Sequence, residues 1–255
     1  MIYKADVSLR EKLKPMFKDF ESTVVSSCLQ GHMGNAWVDD SPTVAQITVG
    51  IFVFYAGNPN AEEADQLLYN LPEFTLAIVK TEEWKRKVET VHKGSFEKFQ
   101  RFEFYKNPNH LDRIRIKNNL NQLPEEYELK RIDLNIAKDP SLHELSEDFI
   151  SQFNSVNDFI DRGIGFAVLH HGEVVCGATS YSIYDDGIEF EVATHHDHRR
   201  KGLATVAASA LILECFNRGL YPSWDGANME SVKLAEKLGY ILNEPYDTYF
   251  IDQGD

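Results

Sequence analysis

The stretch from Gly165 to Arg218 constrains the fold more than any other part of this 255-residue chain. Three runs of strand-forming residues, Gly165 to Leu169, Val174 to Tyr184 and Ile188 to Thr194, are separated only by His170-His171-Gly172-Glu173 and by Asp185-Asp186-Gly187. Connections this short join antiparallel neighbours, and an Asp-Gly pair between apolar runs is a strong hairpin signal. A short polar loop then leads into a long helix from about Gly202 to Arg218, stopped by Gly219. Ala204, Ala207, Ala208 and Ala210 let that helix lie close on a sheet, and Leu203, Val206, Leu211 and Leu213 supply core.

Around this centre the pattern predicts an alternation of strands and helices. Upstream lie a strand, Tyr127 to Asp133, and a helical stretch with Leu142, Leu145, Phe149 and Phe153 on one face. A short helix, Val156 to Arg162, follows and ends at Gly163. Downstream come a short strand near Tyr221 to Asp225, a helix from about Asn228 to Leu238 and a last strand near Tyr246 to Ile251. The first half has an α/β reading of its own. Leu9 to Phe20 is amphipathic, Ala45 to Tyr55 and Phe74 to Val79 read as buried strands, and Phe99 to Tyr105 alternates. Ala61 to Tyr69 and Glu82 to His92 are helical in composition. Residues 117–126 are polar, contain Pro124 and lose periodicity, which predicts a boundary between an N-terminal α/β companion domain, 1–122, and a second domain, 127–255. The companion is expected to cover the acceptor side of a cleft or to mediate self-association as a homodimer.

Composition narrows the partners. With 43% hydrophobic residues the chain can build proper cores, and its net charge of −14 argues against nucleic acid, which needs a cationic surface. No apolar run approaches the roughly 20 residues that span a bilayer, and Met1 to Lys18 lacks a signal-peptide block, so the expectation is a cytoplasmic protein with no membrane partner. Cys28, Cys176 and Cys215, odd in number and far apart, read as reduced thiols without an assigned role. Against the acidic background, Arg199-Arg200-Lys201 forms a positive island that invites an anion.

That island opens the long helix. A helix N-terminus carries unpaired N–H groups and partial positive charge, and Gly202, lacking Cβ, lets an anion approach the backbone. Arg199-Arg200-Lys201-Gly202-Leu203-Ala204 matches at every specified position the [QR]-x-x-G-x-[GA] pyrophosphate motif of the GNAT superfamily, which the chain resembles. A second family signature reads here as Asn228, Ser231 and Lys237-Leu238-Gly239-Tyr240. The spelling from Trp224 to Tyr240 is most similar to a subgroup that includes zwittermicin A resistance-type acetyltransferases. The resemblance covers about half of the chain and the N-terminal half only loosely, as a divergent acyltransferase-like fold. It implies a mixed, splayed β-sheet flanked by helices, with acetyl-CoA as the acyl-donor cosubstrate. Val192, Ala193 and Thr194 would pair with the pantetheine arm like an added strand. Arg199 to Ala204 would hold the pyrophosphate, and Asn228 and Ser231 would meet the pantetheine or thiol end, Asn228 serving equally as a helix N-cap.

Amine acylation needs a base for the ammonium proton and polarisation of the thioester carbonyl. Glu189 and Glu191 share one face of their strand, and carboxylates on such a strand need a cleft or a partner. Glu189 is preferred as the base, because it lies nearer the family's spacing from the Arg-x-x-Gly turn. A backbone N–H near Val192 is the carbonyl polariser the resemblance implies. Where many relatives carry a tyrosine acid this chain has Ala235, leaving Ser231, Tyr240, Tyr246 or no acid at all. His195, His196, Asp197 and His198 lack a fourth ligand elsewhere in the sequence, and they read, like His170-His171, as solvated surface with no metal expected. The leading expectation is transfer of acetyl from acetyl-CoA to a primary amine of a small molecule, by direct attack in a ternary complex. The alternative is a non-catalytic acyl-CoA-binding or regulatory module.

Overall fold

The computed structural model describes residues 1–252. The chain divides into two compact units, one of residues 1–101 with the C-terminal stretch from Pro245, the other of residues 102–244. The first half supplies β1 (Ile2–Lys4), α1 (Val7–Lys12), α2 (Thr23–Leu29), β2 (Asn35–Asp39), β3 (Val44–Val49), β4 (Phe52–Gly57), α3 (Ala64–Tyr69), β5 (Phe74–Ile78), α4 (Glu82–Val91) and β6 (Phe96–Phe104). Then follow α5 (Arg113–Asn119), β7 (Tyr127–Arg131), α6 (Leu134–Ala137), α7 (Pro140–Leu145), α8 (Val156–Arg162), β8 (Gly165–His170), β9 (Glu173–Tyr184) and β10 (Gly187–Thr194). The chain closes with α9 (Leu203–Arg218), β11 (Tyr221–Ser223), β12 (Asp225–Gly226), α10 (Met229–Leu238) and β13 (Leu242–Asp252). No described helix is long and apolar enough to cross a membrane.

Both units use one strand plan. In the first, β1 to β4 pair antiparallel in sequence order, and β4 then pairs β5 in parallel through Phe52–Phe54 and Leu76–Ile78. In the second, β7 to β10 pair antiparallel in order, and β10 pairs β11 in parallel through Gly187–Glu189 and Tyr221–Ser223. Helices fall at matching places: between the first and second strands of each unit, and across each parallel connection, which needs a crossover. Each unit also receives a strand end from the other half of the chain. Thr248–Asp252 of β13 pairs β5 in the first unit, and Phe102 and Glu103 of β6 pair β12 in the second.

The first core gathers Val44, Val53, Leu67, Leu68, Val88 and Ile251 around Tyr55, which stacks on Trp84 at 5.4 Å. Trp84 Nε1 donates to the Gly57 carbonyl at 2.9 Å, so the end of β4 is tied to α4. The connection from Gly57 to α3 carries Glu62 and Glu63, and Glu63 binds the N-terminal amine at 2.8 Å. Acidic side chains repel phosphate, so this connection has none of the chemistry of its counterpart before α9.

Several expected elements differ from those found. The helix expected over Leu9 to Phe20 stops at Lys12 and continues as turns, because Pro15 cannot donate the i to i−4 bond. The run Ala45 to Tyr55 is two strands folded on the turn Gly50-Ile51, with Val49 opposite Phe52. The strand expected near Tyr221 to Asp225 is β11 and β12, which pair with different neighbours. The last strand serves the first unit's sheet. Residues 117–126 hold the end of α5 and a 3-10 turn, where Asn119 is buried and its Nδ2 donates to Ser209 Oγ of α9 at 3.0 Å.

Candidate functional site

The site begins where β10 and β11 part. A Cβ on Gly187 would lie 2.1 Å from the Tyr221 carbonyl oxygen, so only glycine lets β11 come this close. Two residues later the parallel pairing ends at Glu189, and β10 runs on to Thr194 along β9. At the same point the β9 register shifts, with Glu189 opposite Ser182 but Phe190 opposite Ser180. The additional residue, Tyr181, therefore sits on β9, and a bulge of this kind increases local twist. β10 keeps its own alternation, so Glu189 and Glu191 remain on one face.

Beyond Thr194 the chain forms a fixed turn. His195 N–H donates to the Val175 carbonyl at 2.8 Å, and Arg199 Nε donates to the Thr194 carbonyl at 3.1 Å. Arg200 holds φ 62° and Gly202 holds φ 82°, both left-handed. Left-handed residues alternating with others in a turn point successive N–H groups into one concavity that suits an anion. No side chain caps α9 at Gly202, and a Cβ there would meet nothing within 4 Å. The amides at the start of α9 thus face open space with Arg199, Arg200 and Lys201 exposed beside them. Behind the turn α9 is buried almost all round, which fixes its N-terminus.

The two glutamates differ in setting. Glu189 is buried, with 7% of its surface exposed, and its charge adds to burial in raising the pKa values of Tyr184, Tyr221 and Tyr240, that of Tyr221 to about 12. Glu191 is half-buried and accepts from Ser146 Oγ, at the C-terminus of α7, at 3.1 Å. Asn228 caps α10, its Oδ1 accepting from Ser231 N at 2.9 Å, and Ser231 Oγ accepts from Trp224 Nε1 at 3.0 Å. Trp224 lies 4.9 Å from the Phe190 ring and 5.6 Å from that of Tyr240. Tyr240 is buried and donates to the Pro222 carbonyl at 2.6 Å, so its proton is committed to structure. Ala235 is fully buried in α10, and Tyr246 belongs to the first unit, where Lys80 lies over its ring.

The β10–β11 pairing thus ends ahead of a left-handed turn that opens a helix, at the residues of the sequence motif. The family model for GNAT acetyltransferases matches residues 14–249, both halves of the chain. The chain belongs to this family. A GNAT relative from Bacillus subtilis, the uncharacterized N-acetyltransferase YdfB, is 30% identical over 253 residues, covering 93% of this chain and 94% of its own. A crystal structure of a GCN5-related N-acetyltransferase-like protein from Streptococcus suis is 35% identical with a TM-score of 0.87, covering 96% of this chain and 99% of that one. A tandem GNAT protein from the clavulanic acid biosynthesis pathway is 8% identical with a TM-score of 0.60, covering 100% and 99%. That last likeness concerns the fold alone, and it fits the repeated strand plan. The protein is a GNAT N-acetyltransferase, an enzyme of acyl transfer.

Sequence reasoning missed the neighbours of these candidate site residues. Ser146, Tyr184 and the bulge residue Tyr181 carry no motif, and their proximity depends on register. It also missed the gathering of histidines. His170 and His171 from the β8–β9 turn meet His198 and Tyr127, with rings 5.0 Å apart for His170 and His198 and for His170 and Tyr127. Tyr127 Oη lies 2.9 Å from both His198 Nδ1 and Lys201 Nζ.

Proposed function

We propose that the protein transfers an acetyl group from acetyl-CoA to a primary amine of a small molecule, by direct attack within a ternary complex. The observation that carries this reading is the length of β10 beyond Glu189, which leads straight into the left-handed turn at Arg200 and Gly202. Val192, Ala193 and Thr194 pair with the pantetheine amides as a strand would, and Arg199 to Ala204 take the pyrophosphate on backbone N–H groups. An N–H near Val192 polarises the thioester carbonyl, and Asn228 and Ser231 stand toward the thiol end.

Glu189 takes the ammonium proton, directly or through water, and the amine then attacks the thioester carbon. Its burial supports this role over Glu191, which is held by Ser146. The bond from Tyr240 to Pro222 favours a thiolate that leaves without that tyrosine as acid. The spelling from Trp224 to Tyr240 supports an antibiotic-like or metabolite amine of the kind met by zwittermicin A resistance-type enzymes. The first unit, with the same strand plan but an acidic connection before α3, is a companion repeat without a donor site.

The test is incubation with acetyl-CoA and a broad panel of amines while free thiol is detected. Amine-dependent thiol release supports the reading. Donor binding with no acceptor-dependent release across such a panel favours an acyl-CoA-binding module instead.

A further inference from the structure

The sequence places His195, His196, Asp197 and His198 in one short loop, and the structure brings the side chains of the first three together. The ligand atoms of these three residues lie within 4.8 Å of one another, and all three side chains are exposed. His196 Nε2 stands 3.3 Å from Asp197 Oδ1, and the His195 and His196 rings are 4.3 Å apart. The next imidazole, His198, has its ring 5.8 Å from that of His195. Behind it His170 and His171 extend the row, so five of the chain's nine histidines share one patch built from two loops.

We propose that this patch binds a divalent transition-metal cation, with His195, His196 and Asp197 as primary donors and His198 as the fourth. Imidazole and carboxylate donors suit zinc, copper or nickel better than magnesium or calcium. Zinc holds such donors at about 2.0–2.2 Å in a tetrahedron, which sets two donors of one ion roughly 3.4 Å apart, so the exposed side chains must close by up to about 1.4 Å, within the reach of rotamer changes. The backbone beneath them is already fixed. His195 N–H bonds Val175, His198 N–H bonds the His195 carbonyl at 2.9 Å, and Arg199 Nε bonds Thr194, which limits the entropy lost on binding.

His198 has the second-shell partner typical of a metal ligand. When Nδ1–H donates to the Tyr127 oxygen, Nε2 is the nitrogen left to ligate, and the ring orientation is set. Two of the nearby cations are engaged: Lys201 Nζ bonds Tyr127, and Arg199 Nε bonds Thr194. None of this depends on the acyl-transfer reading.

Calorimetric titration of the full chain with zinc chloride near pH 7.5 tests the proposal. One saturable site of unit stoichiometry is expected, weakened at about pH 5.5, where protons compete for the imidazoles. The double variant His195→Ala/His196→Ala, checked for fold by circular dichroism, should lose about tenfold or more in affinity. His143→Ala, whose ring bonds the Ala137 carbonyl outside the patch, should titrate like the parent protein. Copper(II) spin resonance should show coupling to bound nitrogens in the parent and lose it in the double variant. A parent without a saturable site, or a double variant that binds zinc and couples nitrogens as the parent does, overturns the assignment.

Discussion

Arg200 and Gly202 both hold left-handed backbone, with Lys201 alone between them. An L-residue with a Cβ costs roughly 1–2 kcal/mol there, so the turn at Arg200 is maintained against strain and at Gly202 without it. Strain of this kind persists where surrounding structure enforces it, here Arg199 bonded to Thr194 and α9 buried behind.

The pair separates charge from backbone geometry in donor binding. Arg200→Gly removes a cation but relieves the strained φ, so acetyl-CoA affinity should fall only a few-fold while stability holds or rises. Gly202→Glu places bulk and negative charge where the pyrophosphate approaches, and it should abolish binding in calorimetric titration. A folded Gly202→Glu protein with parental affinity removes the turn from the donor site.

Proton removal should depend on the buried glutamate. Losing a general base costs about 10²–10⁴-fold in rate, so Glu189→Gln should lower kcat on that scale with donor affinity nearly unchanged. Activity should recover in part at high pH, where the amine is already deprotonated. Glu191→Gln, which breaks the bond from Ser146, should cost less. Full activity in both single variants and in the double variant near neutral pH assigns the proton to water or to the substrate's own ionisation.

Tyr240→Phe should be a stability variant more than a catalytic one. It removes the 2.6 Å bond to the Pro222 carbonyl, and leaving a buried acceptor unsatisfied costs about 1–3 kcal/mol. Melting temperature should fall while kcat changes less than the Glu189 variant and the pH–rate profile keeps its shape. A lost alkaline limb would show that Tyr240 is the acid after all.

Acid sensitivity should report the ion pair on α8. Asp158 accepts from Arg162 at 2.6 and 2.7 Å, and this guanidinium lowers its pKa in the folded state. The charged form is thus favoured by folding. The contribution is present above the ordinary carboxylate value of about 3.9 and is lost as pH falls through the lower folded value. Asp158→Asn should destabilise by roughly 1 kcal/mol at neutral pH, given the pair's partial exposure, and the gap to the parent should narrow in urea melts as pH falls below the ordinary carboxylate value.

The legible part of this fold was whatever local chemistry dictates. Both hairpin turns, α8 with its stop at Gly163, α9 and α10 were found within a residue or two, because Gly, Asp and the apolar period act over a few residues. The anion turn was legible as a motif, and the structure adds the left-handed Arg200, which no composition rule singles out. What was not legible is pairing at a distance. An apolar run such as Ala45 to Tyr55 fits one buried strand or two, and only the Gly50-Ile51 turn decides. Likewise nothing in Tyr246 to Ile251 says which sheet it joins, since β5 lies some 170 residues earlier in the chain. The histidine patch shares that cause: His170 and His198 meet through strand register, not through spacing.

The reciprocal loan of strand ends sets a timetable for biosynthesis. Tyr249 and Ile251 are fully buried in the core of the first unit, yet they are made some 170 residues after the β5 strand they pair with. Domains that are contiguous in sequence can fold one after another as they emerge. Here the nascent first half must wait with β5 lacking its neighbour, an edge open to wrong partners, until β13 has been made. Any gene fragment that ends between the two halves leaves that edge exposed permanently.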